Sequence, residues 1–193
     1  MIYKYRQMDT NPNVRQVMYD DEVLGTGHSY NMFDGDFSFN GSYYTLKKNS
    51  DNQITIIRGK DVIGEILIKH KTIKNDRRLS LDCPCFIFKI NNREFSVYYF
   101  SFNKIDKTYF QFEENGETVG MIQKLSLVVN HLDKYVCYTE DSDMIIYLSL
   151  FCLYIQSSLY FLSDEKTKIN PSLIFPKKIQ KIFDKEYIPK IEW

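Results

Sequence analysis

Apolar and polar residues alternate along most of this chain, and the alternation stops once, in a run from Met144 to Leu162 without a charge, a glycine or a proline. A period of two belongs to a strand whose two faces meet different surroundings. In Lys107–Glu113, Thr108, Phe110 and Phe112 fall on one face, and Lys107, Gln111 and Glu113 on the other. Cys85–Ile90 sets Phe86, Phe88 and Ile90 against Ile87 and Lys89. Glu94–Phe102 differs, because Phe95, Val97 and Tyr99 on one side are matched by Tyr98, Phe100 and Phe102 on the other. That strand is predicted to be covered on both faces.

Turn signals punctuate the alternation about every ten residues, the spacing of a sandwich or barrel. They are Asn11-Pro12-Asn13, Asp20-Asp21, Asp34-Gly35, Asn40-Gly41, Asn49 to Asn52, Gly59-Lys60-Asp61, Asn91-Asn92 and Glu114 to Glu117. Between them strands are predicted over Val14–Tyr19, Val23–Tyr30, Asp36–Phe39, Ser42–Lys48, Gln53–Arg58, Val62–Lys69, Cys85–Ile90, Arg93–Phe102, Lys107–Glu113, Thr118–Lys124, Leu125–Asn130 and Tyr135–Glu140. Residues 1–13 read as a polar segment ahead of the domain, 14–163 as the domain, and 164–193 as a lysine-rich extension packing on or near it.

The run Met144–Leu162 is apolar all round, so as a helix it is satisfied either in lipid or inside protein. Nineteen residues at about 1.5 Å each come close to a bilayer core of about 30 Å, and a pair of buried strands is a third solution. The composition favours a buried helix. Ser149, Gln156, Ser157 and Ser158 interrupt the run, and Tyr154 sits at its middle rather than at an interface. Asp141, Ser142 and Asp143 precede it and suit a helix start.

Composition sharpens this. Fifteen tyrosines and fourteen phenylalanines with no alanine favour strands. Lys plus Arg equals Asp plus Glu at 25 each, so no overall field points to nucleic acid. Cys83, Cys85, Cys137 and Cys152 lack zinc-site spacing and are expected to be reduced and mostly buried. With an amino terminus lacking an apolar signal core, they point to the cytoplasm. No nucleophile elbow, dinucleotide fingerprint or metal motif is visible, and His28, His70 and His131 stand in none. The expectation is a protein that is not an enzyme, with no catalytic residues, no metal and no cofactor.

One pattern repeats. Gly59-Lys60-Asp61-Val62-Ile63-Gly64-Glu65-Ile66 parallels Gly116-Glu117-Thr118-Val119-Gly120-Met121-Ile122, with a weaker echo in Asp21-Glu22-Val23-Leu24-Gly25. A glycine at a fixed place in a strand marks a bulge or the close approach of another backbone. This glycine hairpin, the Tyr135-to-Asp143 strand and the apolar helix after it resemble the tubby C-terminal fold, shared by LURP-one-related and phospholipid-scramblase-like proteins. The resemblance covers about Val14 to Leu162. It implies a mainly β protein, a closed antiparallel barrel of about twelve strands around a central hydrophobic C-terminal helix. It also implies a loose association with lipids or membranes. The chain departs from the family in extending past the helix and in lacking the cysteine-rich acylation run. No match to the basic phosphoinositide site is found, so no site residue is carried over.

The densest positive run is Lys69–Arg78, with Lys69, Lys71, Lys74, Arg77 and Arg78, where a hairpin loop is expected. It is a candidate for an anionic headgroup or other phosphate. In the extension, Ile179, Ile182 and Phe183 form an apolar stripe among Lys177, Lys178, Lys181 and Lys185, suited to lying on a membrane or covering the barrel. Glu140, Asp141 and Asp143 suit helix capping or a divalent cation. Two functions stay open. One is a cytoplasmic, membrane-peripheral module meeting anionic lipid through these cations. The other is a module that binds a partner protein, such as a regulator or inhibitor, through its tyrosine-rich strands.

Overall fold

In a computed structural model of the chain, residues 1–9, 13–29, 34–50, 53–74, 80–102, 107–124, 134–162, 183, 184, 186 and 187 are described. The alternating segments form twelve strands: β1 (Ile2–Gln7), β2 (Asn13–Tyr19), β3 (Glu22–Ser29), β4 (Gly35–Phe39), β5 (Ser42–Ser50), β6 (Gln53–Arg58), β7 (Asp61–Lys74), β8 (Ser80–Ile90), β9 (Arg93–Phe102), β10 (Lys107–Glu114), β11 (Glu117–Lys124) and β12 (Lys134–Thr139). The apolar run is helix α1 (Met144–Leu162). Each strand pairs antiparallel with its neighbours in sequence, and β1 closes the barrel against β12. Pairing the first strand with the last leaves the barrel wall without an edge strand.

The short turns lie at one end, called the near end here because α1 starts there. At Asp20-Asp21, Asn40-Gly41, Asn91-Asn92 and Asn115-Gly116 both turn residues have positive φ. Such two-residue turns match the strands' right-handed twist, and asparagine, aspartate and glycine tolerate them best.

The repeated glycines mark bulges. Gly25, Gly64 and Gly120 pair with Val17, Ile56 and Phe112, and the register shifts immediately after each of these partners. The residue left over, Leu24, Ile63 or Val119, packs against the core. The three hairpins are β2–β3, β6–β7 and β10–β11, so the device recurs every fourth strand around the barrel. Gly64 shows why the residue is glycine: a Cβ there would stand 2.2 Å from the Lys89 carbonyl oxygen.

α1 threads the barrel. Leu148, Leu150, Phe151, Cys152 and Leu153 are wholly buried, and the inward residues Phe37, Ile56, Phe88, Phe110, Phe112 and Ile122 surround them. The Phe151 ring lies 5.0 Å from Phe112, 5.4 Å from Phe86 and 5.6 Å from Phe110, all edge-on. Ser149 donates its hydroxyl to the Ile145 carbonyl at 2.7 Å, which satisfies a polar group in an apolar surround. Cys137 and Cys152 face each other inside with sulfurs 3.8 Å apart, and Cys85, Cys137 and Cys152 are all buried. Over residues 144–155 the helix is thus apolar on every side because strands surround it. The lipid-spanning and buried-strand solutions are set aside for this run. Among the described residues no helix is long and apolar enough to cross a membrane.

Two expectations need correction. Ile2–Gln7 is not a segment ahead of the domain but a barrel strand between β12 and β2. Tyr3 and Tyr5 point inward and are buried, while Ile2, Lys4 and Arg6 alternate with them. The basic run does not begin in a loop either, since β7 continues through Lys74. The strand expected over residues 125–130, and His131, lie outside the described residues.

Candidate binding surface

With α1 filling the barrel, candidate sites fall on its outside. The first is the far end of the β7–β8 hairpin. Pairing of β6 with β7 stops at Gln53 and Leu67, and pairing of β8 with β9 stops at Cys85 and Tyr98. β7 and β8 pair on past both, from His70 with Pro84 to Lys74 with Ser80. Beyond the neighbouring ladders they form a two-stranded ribbon. Pro84 sits in it one residue past the last β8–β9 pair, a place where a strand needs no second amide. Lys71 and Lys74 lie on this ribbon, opposite Cys83 and Ser80, and Lys69, exposed and opposite Cys85, lies at its base. Arg77 and Arg78 fall in the connection between the two strands, and they and Lys177, Lys178 and Lys181 lie outside the described residues.

At the near end, Arg93 ties the barrel rim to the helix start. Its Nε and Nη2 donate to Glu114 at 2.9 and 2.7 Å, and its Nη1 donates to Asp141 at 2.8 Å. The guanidinium carbon also lies 5.0 Å from the centre of the Phe95 ring. The hydrogen bond from Arg93 holds the Glu114 carboxyl below its ordinary range against the opposing effect of burial. Burial pushes Asp141 up, but Arg93 and the Asp143 amide outweigh it, so its carboxyl also titrates low. The Asp141 carbonyl accepts the Met144 amide at 3.1 Å. Asp141 therefore serves the helix start and the rim. Among the described residues no group of three His, Cys, Asp or Glu side chains is placed to hold a metal ion.

Two wall features were not foreseen. On β3–β5, His28 Nδ1 lies 3.2 Å from Asp36 Oδ1, and the Tyr43 hydroxyl donates to Asp36 Oδ2 at 2.7 Å. Asp36 is only 6% exposed although it faces outward. His28 and Asp36 are direct cross-strand partners, a register that sequence distance conceals. On β6–β9 an open groove of about 450 Å³ runs past Gly64. Lys89 there stands 3.4 Å from Glu65 and 3.7 Å from Glu94.

The fifth surface is the outside of β9–β12, where Phe100, Tyr109, Met121, Val136 and Tyr138 form a second apolar cluster capped by Phe183. Of the extension's apolar stripe, Phe183 is thus on the barrel. The signal in the sequence was the two-faced apolarity of β9, which foretold a cover without naming it.

Comparison with known proteins yields no match: no family model, no curated protein and no solved structure matches the chain.

Proposed function

We propose that this chain is a non-enzymatic, tubby-like binding module that meets anionic phospholipid surfaces from the cytoplasmic side through the β7–β8 ribbon. Support for the tubby-like reading is the barrel of twelve antiparallel strands threaded by one apolar helix. The observation that carries the lipid reading is where the basic run lies. Lys71 and Lys74 are on the ribbon that runs past both neighbouring ladders and Lys69 is at its base, with Arg77 and Arg78 following in sequence before β8. A projecting basic hairpin reaches a flat surface before the barrel wall does. Each Lys or Arg near an anionic membrane contributes about 1 kcal/mol, within a screening length of about 8–10 Å.

The test is co-sedimentation with vesicles of graded phosphatidylserine content. Binding should rise with anionic lipid and fall with salt. Changing Lys71, Lys74, Arg77 and Arg78 together to Ser should abolish it. A parent protein indifferent to anionic vesicles would end the lipid reading. A second reading, a module that binds a partner protein, is favoured by the capped aromatic wall on β9–β12.

A further inference from the structure

Outward positions on a barrel wall ordinarily meet water. On β9–β12 they do not: Phe100 and Tyr109 are 3% exposed, Tyr138 2%, Val136 1% and Met121 0%. What covers them includes a short stretch of the chain's own extension. The Phe183 ring sits 4.9 Å from Phe100 and 5.2 Å from Tyr109. The next residue is read through its backbone, since the Asp184 amide donates to Gln111 Oε1 at 2.9 Å. Gln111 is itself 1% exposed, and its Nε2 donates to Glu113 at 2.8 Å, which fixes the amide's orientation. Asp184 then folds the stretch: its Oδ1 accepts the Glu186 and Tyr187 amides at 3.1 and 3.2 Å. That turn brings Tyr187 to Thr139 and the Glu140 backbone. The floor is held by the Tyr138 hydroxyl, which donates to Gln123 at 3.0 Å.

These are the parts of a peptide-recognition site: an aromatic slot, a buried side chain reading a backbone amide, and a second aromatic position fixed by a local turn. We infer that the β9–β12 wall is a docking site for short peptides of the pattern Phe-Asp-x-x-Tyr. The chain's own Phe183–Tyr187 holds the site as a tethered competitor. The partner is a protein presenting that pattern on an extended segment.

Among its described residues the bound stretch rests on one buried ring and a few hydrogen bonds, and it is no part of the barrel wall, so it exchanges by local opening without unfolding the barrel. The lipid reading concerns another surface and neither supports nor depends on this one.

The experiment uses a fluorescent synthetic peptide spanning Lys181 to Pro189 and follows its anisotropy with the full chain. Phe183→Ala removes the tethered ring. Asp184→Pro, as a second variant, removes the amide that Gln111 reads. Both changes lie outside the barrel, and a thermal melt verifies that each variant is folded. Each should bind the peptide at least tenfold tighter than the parent does. A peptide carrying Ala for Phe should not bind, and adding Gln111→Ala to either variant should weaken uptake several-fold. A concentration-dependent dimer of the parent that Phe183→Ala abolishes would also support the site, as docking between copies. If both folded variants take up the peptide no better than the parent, or bind a scrambled peptide equally, the stretch is a fixed clip and the inference fails.

Discussion

The described residues form two apolar clusters of different construction. The first lies inside the barrel, where α1 meets inward residues from strands all around it. The second lies outside, where four strands meet a few residues of the extension. Inside, each residue is enclosed by a closed wall, and removing any one side chain leaves a cavity that the wall cannot collapse to fill. Outside, the described cover is a short stretch that is no part of the barrel wall, so it can leave without opening the barrel. Both clusters bury phenylalanine and tyrosine. What separates them is topology, and stability and exchange should divide along the same line.

The largest effect should come from a charge placed in the first cluster. Leu153 is wholly buried on α1 and packs beside Gly35 of β4. Leu153→Asp should cost several kcal/mol, about 4 or more, because it buries an unpaired carboxylate. Urea unfolding measures it, and a variant that unfolds at the parent's midpoint would remove α1 from the core.

Adjacent residues on one strand test the comparison more sharply. Phe110 points into the barrel and Tyr109 out of it, yet both are buried. Phe110→Ala should cost about 3–5 kcal/mol, the range for a large ring removed from a closed core. Tyr109→Ala should cost about 1–2 kcal/mol, since the cover can shift to refill the space. Equal losses in the two variants would mean that the outer cluster is built as rigidly as the inner one. Phe183→Ala should lower global stability by about 1 kcal/mol or less, while hydrogen exchange quickens at the outer cluster alone.

The inner cluster was the legible one. Met144–Leu162 declared itself by its apolar length, the near-end turns by Asn, Asp and Gly, and the bulges by glycines at one position of a repeat. These signals are local, and neighbours in sequence are neighbours in this barrel. The closing strand β1 was not legible. Its partner β12 lies at the other end of the described barrel, and Lys4 and Arg6 on its outward face made its residues read as a polar segment. Arg15 departs from its charge in the opposite sense: it shares a face with Val17 and is 2% exposed. For the candidate sites, the basic run could be read from composition, but its projection depends on where two ladders end. The outer groove depends on Gln111 and Asp184 meeting across the fold, and no local pattern encodes that pair.

The smallest effect concerns the rim that joins the two regions, where Arg93 bridges Glu114 of β10 and Asp141 ahead of α1. Both carboxyls titrate below their unfolded values of about 4.3 and 3.9. A depressed folded pKa means that the unfolded chain binds protons first as pH falls. The stabilisation is therefore complete above the unfolded values and is lost as pH drops through the lower, folded ones. Arg93 stays charged throughout, because its hydrogen bond to Glu114 raises its pKa further. The pair is partly exposed, so solvent screening keeps the effect within about 1 kcal/mol. Unfolding free energies for the parent and for Arg93→Gln, taken from pH 6 down to about 3, should converge as the carboxyls protonate. If the two curves instead stay parallel to the acid limit, Arg93 acts through its packing on Phe95, and the charges at the rim are incidental.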